Sequence, residues 1–253
     1  MNLYNINTSD ASIRGPIVSL KVLYDGMPET SGCERCQDVN KENAIWCCRH
    51  LNPHMYYVEF LHIWEDIQMW SKEKKLALVL RAIHTHLDTA VEKGCIAWDS
   101  KCLIYERRPF SCRLYGVISP ESWDIRVAAL RKRYEKDSGE ALGQQFESFI
   151  RHDVQCDMVR TSSGEPISKT QEDVWFRHTR HCEERIGISP LAIIAHDESG
   201  GSYRTLHDHL LMTLFDQDSL TTLSKLRLRE PETADIDSFV EVLAHQLQAN
   251  GVI

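Results

Sequence analysis

No run in this sequence approaches the 18 or so consecutive apolar residues that a membrane-crossing helix needs, so no transmembrane segment is expected. The opening stretch, MNLYNINTSDASIRGPIVSL, lacks a basic region ahead of a long apolar core and does not read as a secretory signal. Stripes of Lys and Arg with interleaved aromatics are also missing, and the formal net charge is −8. Phosphate recognition relies on clustered positive charge, so a nucleic-acid partner is not expected. Internal repeats and low-complexity tracts are absent. These absences lead to the expectation of a cytoplasmic protein with neither a membrane nor a nucleic acid as its partner. In that compartment thiols stay reduced.

What the sequence does have is cysteine. Nine are present, Cys33, Cys36, Cys47, Cys48, Cys95, Cys102, Cys112, Cys156 and Cys182, and the first seven fall in one part of the chain. A chain of 253 residues can bury a full core without covalent staples. An odd number of cysteines fits disulfides poorly, and in a reducing compartment clustered cysteines more often bind metal. Cys33 and Cys36 form a CxxC, whose spacing lets a tight turn aim both sulfurs at one centre. Cys47 and Cys48 are adjacent; neighbouring side chains point apart in an extended segment and diverge by about 100° on a helix. Such a pair suits two atoms of a polynuclear cluster better than one ion. Cys156 reads as a core thiol.

The remaining pattern predicts a mainly α fold, an irregular cysteine-rich metal-binding module packed on a helical bundle, with at most a few short strands. Residues 16–24, PIVSLKVLY, are β-branched and apolar and predict a strand, turned by Asp25-Gly26. Helical periodicity begins near Tyr57, with Val58, Leu61, Trp64 and Ile67 on one side. Ser71 is placed to cap a second helix, with a stripe of Leu76, Val79, Leu80, Ile83 and Leu87 running on through Ala90 and Val91 to a stop at Gly94. Ser119-Pro120 reads as an N-cap and first helical residue, and a further helix is expected over roughly 140–155. Ser168 with Gln171 reads as a capping box for a helix through Arg185. LAIIAH is short and apolar, and two or three helices close the chain. The organisation expected is an N-terminal segment 1–29, a cysteine module 30–118 and a helical region 119–253, packed as one body.

The stretch CLIYERRPFSCRLYG (102–116) sets two cysteines among three arginines. Partly buried thiolates need their charge offset. Arg108 and Arg113 are placed to supply positive charge and N–H donors beside the ligands, which also tunes reduction potential. Arg107 reads as a solvated surface group. Pro109 fixes the backbone ahead of Cys112.

The run KGCIAWDSKCLIYERRPFSCRLYG closely resembles the YkgJ-type cysteine-cluster family, the CxxCxxCC zinc- or iron-chelating domain. The matching positions are Cys33, Cys36, Cys47, Cys48, Cys95, Cys102, Ile104, Tyr105, Arg108, Pro109, Cys112 and Arg113, within residues 30–118 or so. The chain departs from the family in one place: ten residues separate Cys36 from Cys47, where the family usually has two. The resemblance implies metal binding, with the seven cysteines as ligands and Tyr105, Arg108 and Arg113 beside the centre. One branch to which the chain is similar, the flagellin lysine methylases, uses S-adenosylmethionine and is associated with an iron–sulfur centre. No glycine-rich methyltransferase loop and no CxxxCxxC radical motif occurs here.

Twelve histidines add candidates. His50 and His54 follow the CC pair and are possible ligands or proton donors beside the cluster. His84 and His86 cannot share a helix face, and neither can His207 and His209; His84 pairs better with Asp88. His178 and Cys182 lie one turn apart, with His181 adjacent, as a second possible metal site.

Zinc would use four ligands and leave three thiols spare, whereas an iron–sulfur cluster, 4Fe–4S included, favours cysteines with nearby N–H donors. The function expected is therefore iron–sulfur cluster binding, in a redox or modifying enzyme acting at the cluster on a peptide, protein or small molecule. The alternatives are a zinc- or iron-chelating accessory protein working on a partner enzyme, a lysine methylase and a purely structural zinc domain.

Overall fold

Asp10 sets the first element. Its carboxylate accepts from Ser12 N at 2.9 Å, capping a helix, α1 (Ala11–Asp25), where a strand was expected. Burial explains the difference: Pro16, Ile17, Leu20 and Tyr24 form one helical stripe, while Val18 and Val22 lie outside it and exposed. The β-branched residues that suggest a strand are thus split between two helix faces, and the packed stripe overrides their propensity. The Gly26 N–H closes the helix onto Val22 and Leu23 carbonyls.

The structure is a computed structural model that describes residues 8–32, 48, 52–88, 94–138, 159–186, 203–229 and 236–243. The remaining helices are α2 (Tyr57–Ile67), α3 (Lys72–Leu87), α4 (Phe110–Leu114), α5 (Pro120–Ser138), α6 (Lys169–Arg185), α7 (Leu206–Leu214), α8 (Gln217–Arg227) and α9 (236–243). A 3₁₀ turn, Tyr105–Arg107, precedes α4. The fold is mainly α, as expected. Its strands are two residues long each: β1 (Thr30–Ser31), β2 (His54–Met55), β3 (Trp98–Asp99), β4 (Lys101–Cys102), β5 (Arg160–Thr161) and β6 (Arg204–Thr205). They pair antiparallel as β1–β5, β2–β6 and β3–β4. No helix among the described residues is long and apolar enough to cross a membrane.

The three capping expectations hold. Ser71 Oγ accepts from Lys74 N, Ser119 Oγ from Ser122 N, and Ser168 with Gln171 forms a reciprocal box that starts α6, which ends at Arg185. Helix α3 stops earlier than Gly94: Asp88 has ψ 126°, and the chain leaves the helix there. The buried face of α3 is Leu78, Val79, Ala82, Ile83 and Leu87, while Leu76 and Leu80 are only half-buried. The helix expected near 140–155, the LAIIAH segment and Cys156 lie outside the described residues.

Helix α2 is the centre of the molecule. It buries Tyr57, Val58, Glu59, Phe60, Leu61, His62, Ile63 and Ile67, on nearly every side, because α1, α6 and α7 all pack on it. Helix α3 packs in turn on α7 and α8. Contacts cross the boundaries expected at 29/30 and 118/119: α1 lies on α6, β1 pairs with β5, and Val58 N donates to Glu183 Oε2 at 2.7 Å.

Candidate metal centre

The arginine-rich segment is positioned by one carboxylate. Glu59 sits on the first turn of α2 with 2 % of its surface exposed. Its Oε1 accepts from Tyr24 Oη at 2.5 Å and from Phe110 N at 2.6 Å, and its Oε2 accepts from Tyr56 N at 2.8 Å. One side chain thereby ties α1, the start of α2 and the start of α4 together. Burial pushes the Glu59 carboxyl above its ordinary range, against the pull of its three donors. The Tyr24 phenol is raised well above the ordinary value, by burial first and by Glu59 second.

The arginines then lock the segment onto this frame. Arg107 donates to His62 O at 3.2 Å and to Glu65 Oε2 at 3.2 Å, so it is an anchor to α2 and not simply solvated. Arg108 donates to Thr30 Oγ1 at 2.7 Å and lies over the Tyr105 ring at 4.2 Å. Arg113 donates to the carbonyls of Arg108 at 2.9 Å and Glu106 at 2.8 Å, with its guanidinium over the Tyr24 ring at 4.3 Å. All three hold backbone and neighbouring elements in place. Among the described residues the buried Arg108 Nε–H has no hydrogen-bond partner.

Cys48 meets the segment that carries Cys95 and Cys102 through the backbone. Cys95 N donates to Cys48 O at 2.8 Å, Trp98 N donates to Cys95 O at 2.9 Å, and Trp98 pairs with Cys102 across the β3–β4 hairpin. Ser100, with φ 55°, makes that hairpin's tight turn. Cys112 lies in α4, whose Ser111 hydroxyl donates to His54 O at 3.0 Å. Cys48, Cys95, Cys102 and Cys112 are half-buried. Among the described residues no three of them have their sulfurs all within 4.8 Å of one another. Sulfurs sharing one tetrahedral ion at bonds of ~2.3 Å sit about 3.8 Å apart; thiolates spread over the atoms of a cluster stand further off. Cys33, Cys36, Cys47 and His50 lie outside the described residues.

His54 is on β2 and stacks on Tyr203 with centroids 5.8 Å apart. The α6 pair does not make a site: Cys182 is fully buried in the core, its thiol raised by burial, while His178 and His181 are exposed. His84 Nε2 faces Asp237 Oδ1 at 3.8 Å.

One ligand group went unread in the sequence. His86 from α3 and His207 and Asp208 from the first turn of α7 bring their donor atoms within 4.8 Å of one another. The β2–β6 pairing delivers Asn52 and Thr205 to the same place. His209, two residues on, faces the opposite way. Its Nε2 lies 3.0 Å from Met55 O and its ring stacks on Phe60, so the divergence expected of the two histidines is observed.

A cleft of about 290 Å³ opens beside the arginine segment. Tyr115, Ile118, Trp123 and Arg126 form one side, and Arg160, Thr161 and Glu165 are on the other. Comparison with known proteins returned no match to a family model, a curated protein or a solved structure.

Proposed function

We propose that this chain is a cytoplasmic iron–sulfur cluster protein of the YkgJ-like cysteine-cluster type. Cys33, Cys36, Cys47, Cys48, Cys95, Cys102 and Cys112 form its pool of thiolate ligands. The observation that carries this reading is the 2.8 Å hydrogen bond from Cys95 N to Cys48 O, which joins the CC segment to the Cys95–Cys102 hairpin. A pool of seven thiols that includes an adjacent pair favours a polynuclear cluster over a single tetrahedral ion, which would leave three of them spare.

The surroundings fit such a group. Thr30, three residues ahead of Cys33 in the chain, receives the Arg108 guanidinium, so the strand that precedes the CxxC segment lies beside the Arg-Pro motif. The buried Arg108 N–H donor has the character that cluster sulfur would satisfy. When bound, a cluster supplies electron transfer or a Lewis-acidic iron. The protein's part is to fix the ligand-bearing segments: Glu59, Arg107 and Arg113 hold residues 105–114 on α2 and α1. The cleft that begins three residues past Cys112 is where a peptide or small-molecule substrate is placed in this reading.

Anaerobic purification, with a visible spectrum and iron and sulfide analysis, tests the proposal. A brown protein with iron and sulfide in near-equal amounts is expected, and loss of both in Cys102→Ser and Cys112→Ser variants. A colourless protein holding one zinc per chain overturns it.

A further inference from the structure

The seam between α3 and α7 carries chemistry that the cysteines do not explain. Two imidazoles and a carboxylate, from helices far apart in sequence, converge there. The hydrogen bonds around them decide which atoms are ligands. Thr205 Oγ1 lies 2.6 Å from Asp208 Oδ2, and a carboxylate oxygen only accepts, so the hydroxyl's single hydrogen is spent there. The same oxygen accepts from Asp208 N at 3.3 Å. His207 Nδ1, 2.9 Å from that oxygen, must then be the donor. Asn52 touches the same Nδ1 at 2.7 Å through the atom placed as Nδ2, while its Oδ1 is buried with no partner among the described residues. Interchanging the two ends of the amide gives Nδ1–H a second acceptor and removes the orphan, and amide ends are assigned by such networks. With Nδ1 taken up by these groups, Nε2 is the ring atom that faces Asp208 Oδ1, at 3.3 Å. Either a proton on Nε2, which makes an ion pair, or a metal ion shared by both atoms fills that separation. A tetrahedral ion with bonds of about 2.0–2.1 Å spaces its ligands about 3.3–3.4 Å apart, which is the separation found.

We propose that His86, His207 and Asp208 bind a divalent transition-metal ion of the zinc type, at a site separate from the cysteines. Thr205 and Asn52 orient His207 by holding its Nδ1–H, the usual role of groups behind a metal-bound imidazole. Nitrogen and oxygen ligands suit zinc or ferrous iron more than calcium or magnesium. Three protein ligands leave a coordination position for water or substrate, and both His86 and Asp208 are half-buried, so solvent reaches the site. The proposal does not rest on the cysteine reading.

The test is a Co²⁺ titration of the metal-free, reduced full-length chain, reading visible d–d bands and near-ultraviolet thiolate-to-cobalt charge transfer separately. The wild type is expected to take up one equivalent that adds d–d absorption without charge transfer. His86→Gln and Asp208→Asn should each lose that equivalent and leave any charge-transfer signal unchanged. Thr205→Ser should bind as wild type, and Thr205→Val about 10–100-fold more weakly. Zn²⁺ should raise the thermal midpoint of the wild type, with any rise contributed by thiolate sites left over in Asp208→Asn. Asp208→Asn keeps the shape and an acceptor, so it separates loss of a ligand from loss of the fold. Equal cobalt uptake without charge transfer in wild type and folded Asp208→Asn, or no such uptake in the wild type, leaves only an ion pair between His207 and Asp208 and overturns the proposal. Absence of charge transfer alone counts against the cysteine reading and leaves this one standing.

Discussion

Glu59 and Asp208 are both carboxylates drawn out of water, and the protein shifts them in opposite directions. Burial dominates at Glu59 and raises its pKa, although three donors pull the other way. Burial is also the largest single influence at Asp208. There the charge of His207 and the Thr205 hydroxyl together outweigh it, and the pKa falls below the ordinary value. The donors to Glu59 are a phenol and two backbone amides, groups that cannot leave or be replaced. The neighbours of Asp208 are imidazoles, which are metal ligands as readily as hydrogen-bond partners. The first environment makes a fixed clamp. The second makes a site whose occupant can change.

The strongest way to break this contrast is Glu59→Ala. It leaves Tyr24 Oη, Phe110 N and Tyr56 N buried without an acceptor, at about 1–3 kcal/mol each. We expect a loss of about 3–5 kcal/mol by urea denaturation, a large part of a typical domain's stability. Glu59→Gln keeps the shape but sets an amide NH₂ against one of the donors, and should lose about 1–3 kcal/mol. A change below 1 kcal/mol in the alanine variant would mean that Glu59 is not the clamp.

Next in size is the acid response. Burial brings His62 down to about 3 and His209 down to about 4, from an ordinary value near 6.5. Below 6.5 the unfolded chain binds protons that the folded chain refuses. Stability is therefore present above 6.5 and lost as pH falls toward 4 for His209 and toward 3 for His62. At about 1.4 kcal/mol per pH unit for each group, the sum over that range is several kcal/mol. Glu59 acts with the opposite sign: its folded pKa is raised, so its destabilising charge is relieved as pH falls through that value. The prediction is a net fall in the urea midpoint between pH 6.5 and 4. It should be shallower in His209→Gln, which stays neutral and can still donate to Met55 O, and steeper in Glu59→Gln. An unchanged profile in His209→Gln would remove this histidine from the account.

Which of these features was legible in the sequence follows from how local they are. Ser71, Ser119 and Ser168 were readable as caps because a cap and the amide it serves lie two or three residues apart. Helix α1 was misread because its β-branched run carries a strand signal, while the stripe that decides it needs partners on α2 and α6. The arginine motif was legible as a feature, but the anchoring hydrogen bonds of its arginines were not. Arg107 finds its acceptors on α2, on residues 62 and 65, and nothing near it in the chain announces them. The convergence of His86 with His207 has no spacing to read at all. It exists because α3 packs on α7 and β6 pairs with β2.

Arg113→Lys is a smaller perturbation on the clamp side. A lysine cannot reach two carbonyls with a rigid fork while lying over Tyr24. The expected loss is about 1–2 kcal/mol of stability. Iron per chain should fall in proportion if the segment presents Cys112 to a cluster. Unaltered stability would show that the two carbonyls find other donors, and that Glu59 alone sets the segment's path.

Asp208→Asn is the smallest expected effect and sharpens the comparison most. Asparagine keeps an acceptor for the Thr205 hydroxyl, whose oxygen caps α7 through Asp208 N. What is lost is one charge on the first turn of a helix, worth about 0.3–1 kcal/mol. In metal-free protein the urea midpoint should therefore barely move, in contrast to several kcal/mol for Glu59→Ala. That outcome would mean that this half-buried carboxylate is held in place by something other than stability. A loss above about 2 kcal/mol would instead make Asp208 a second clamp, with His207 as its fixed ion-pair partner.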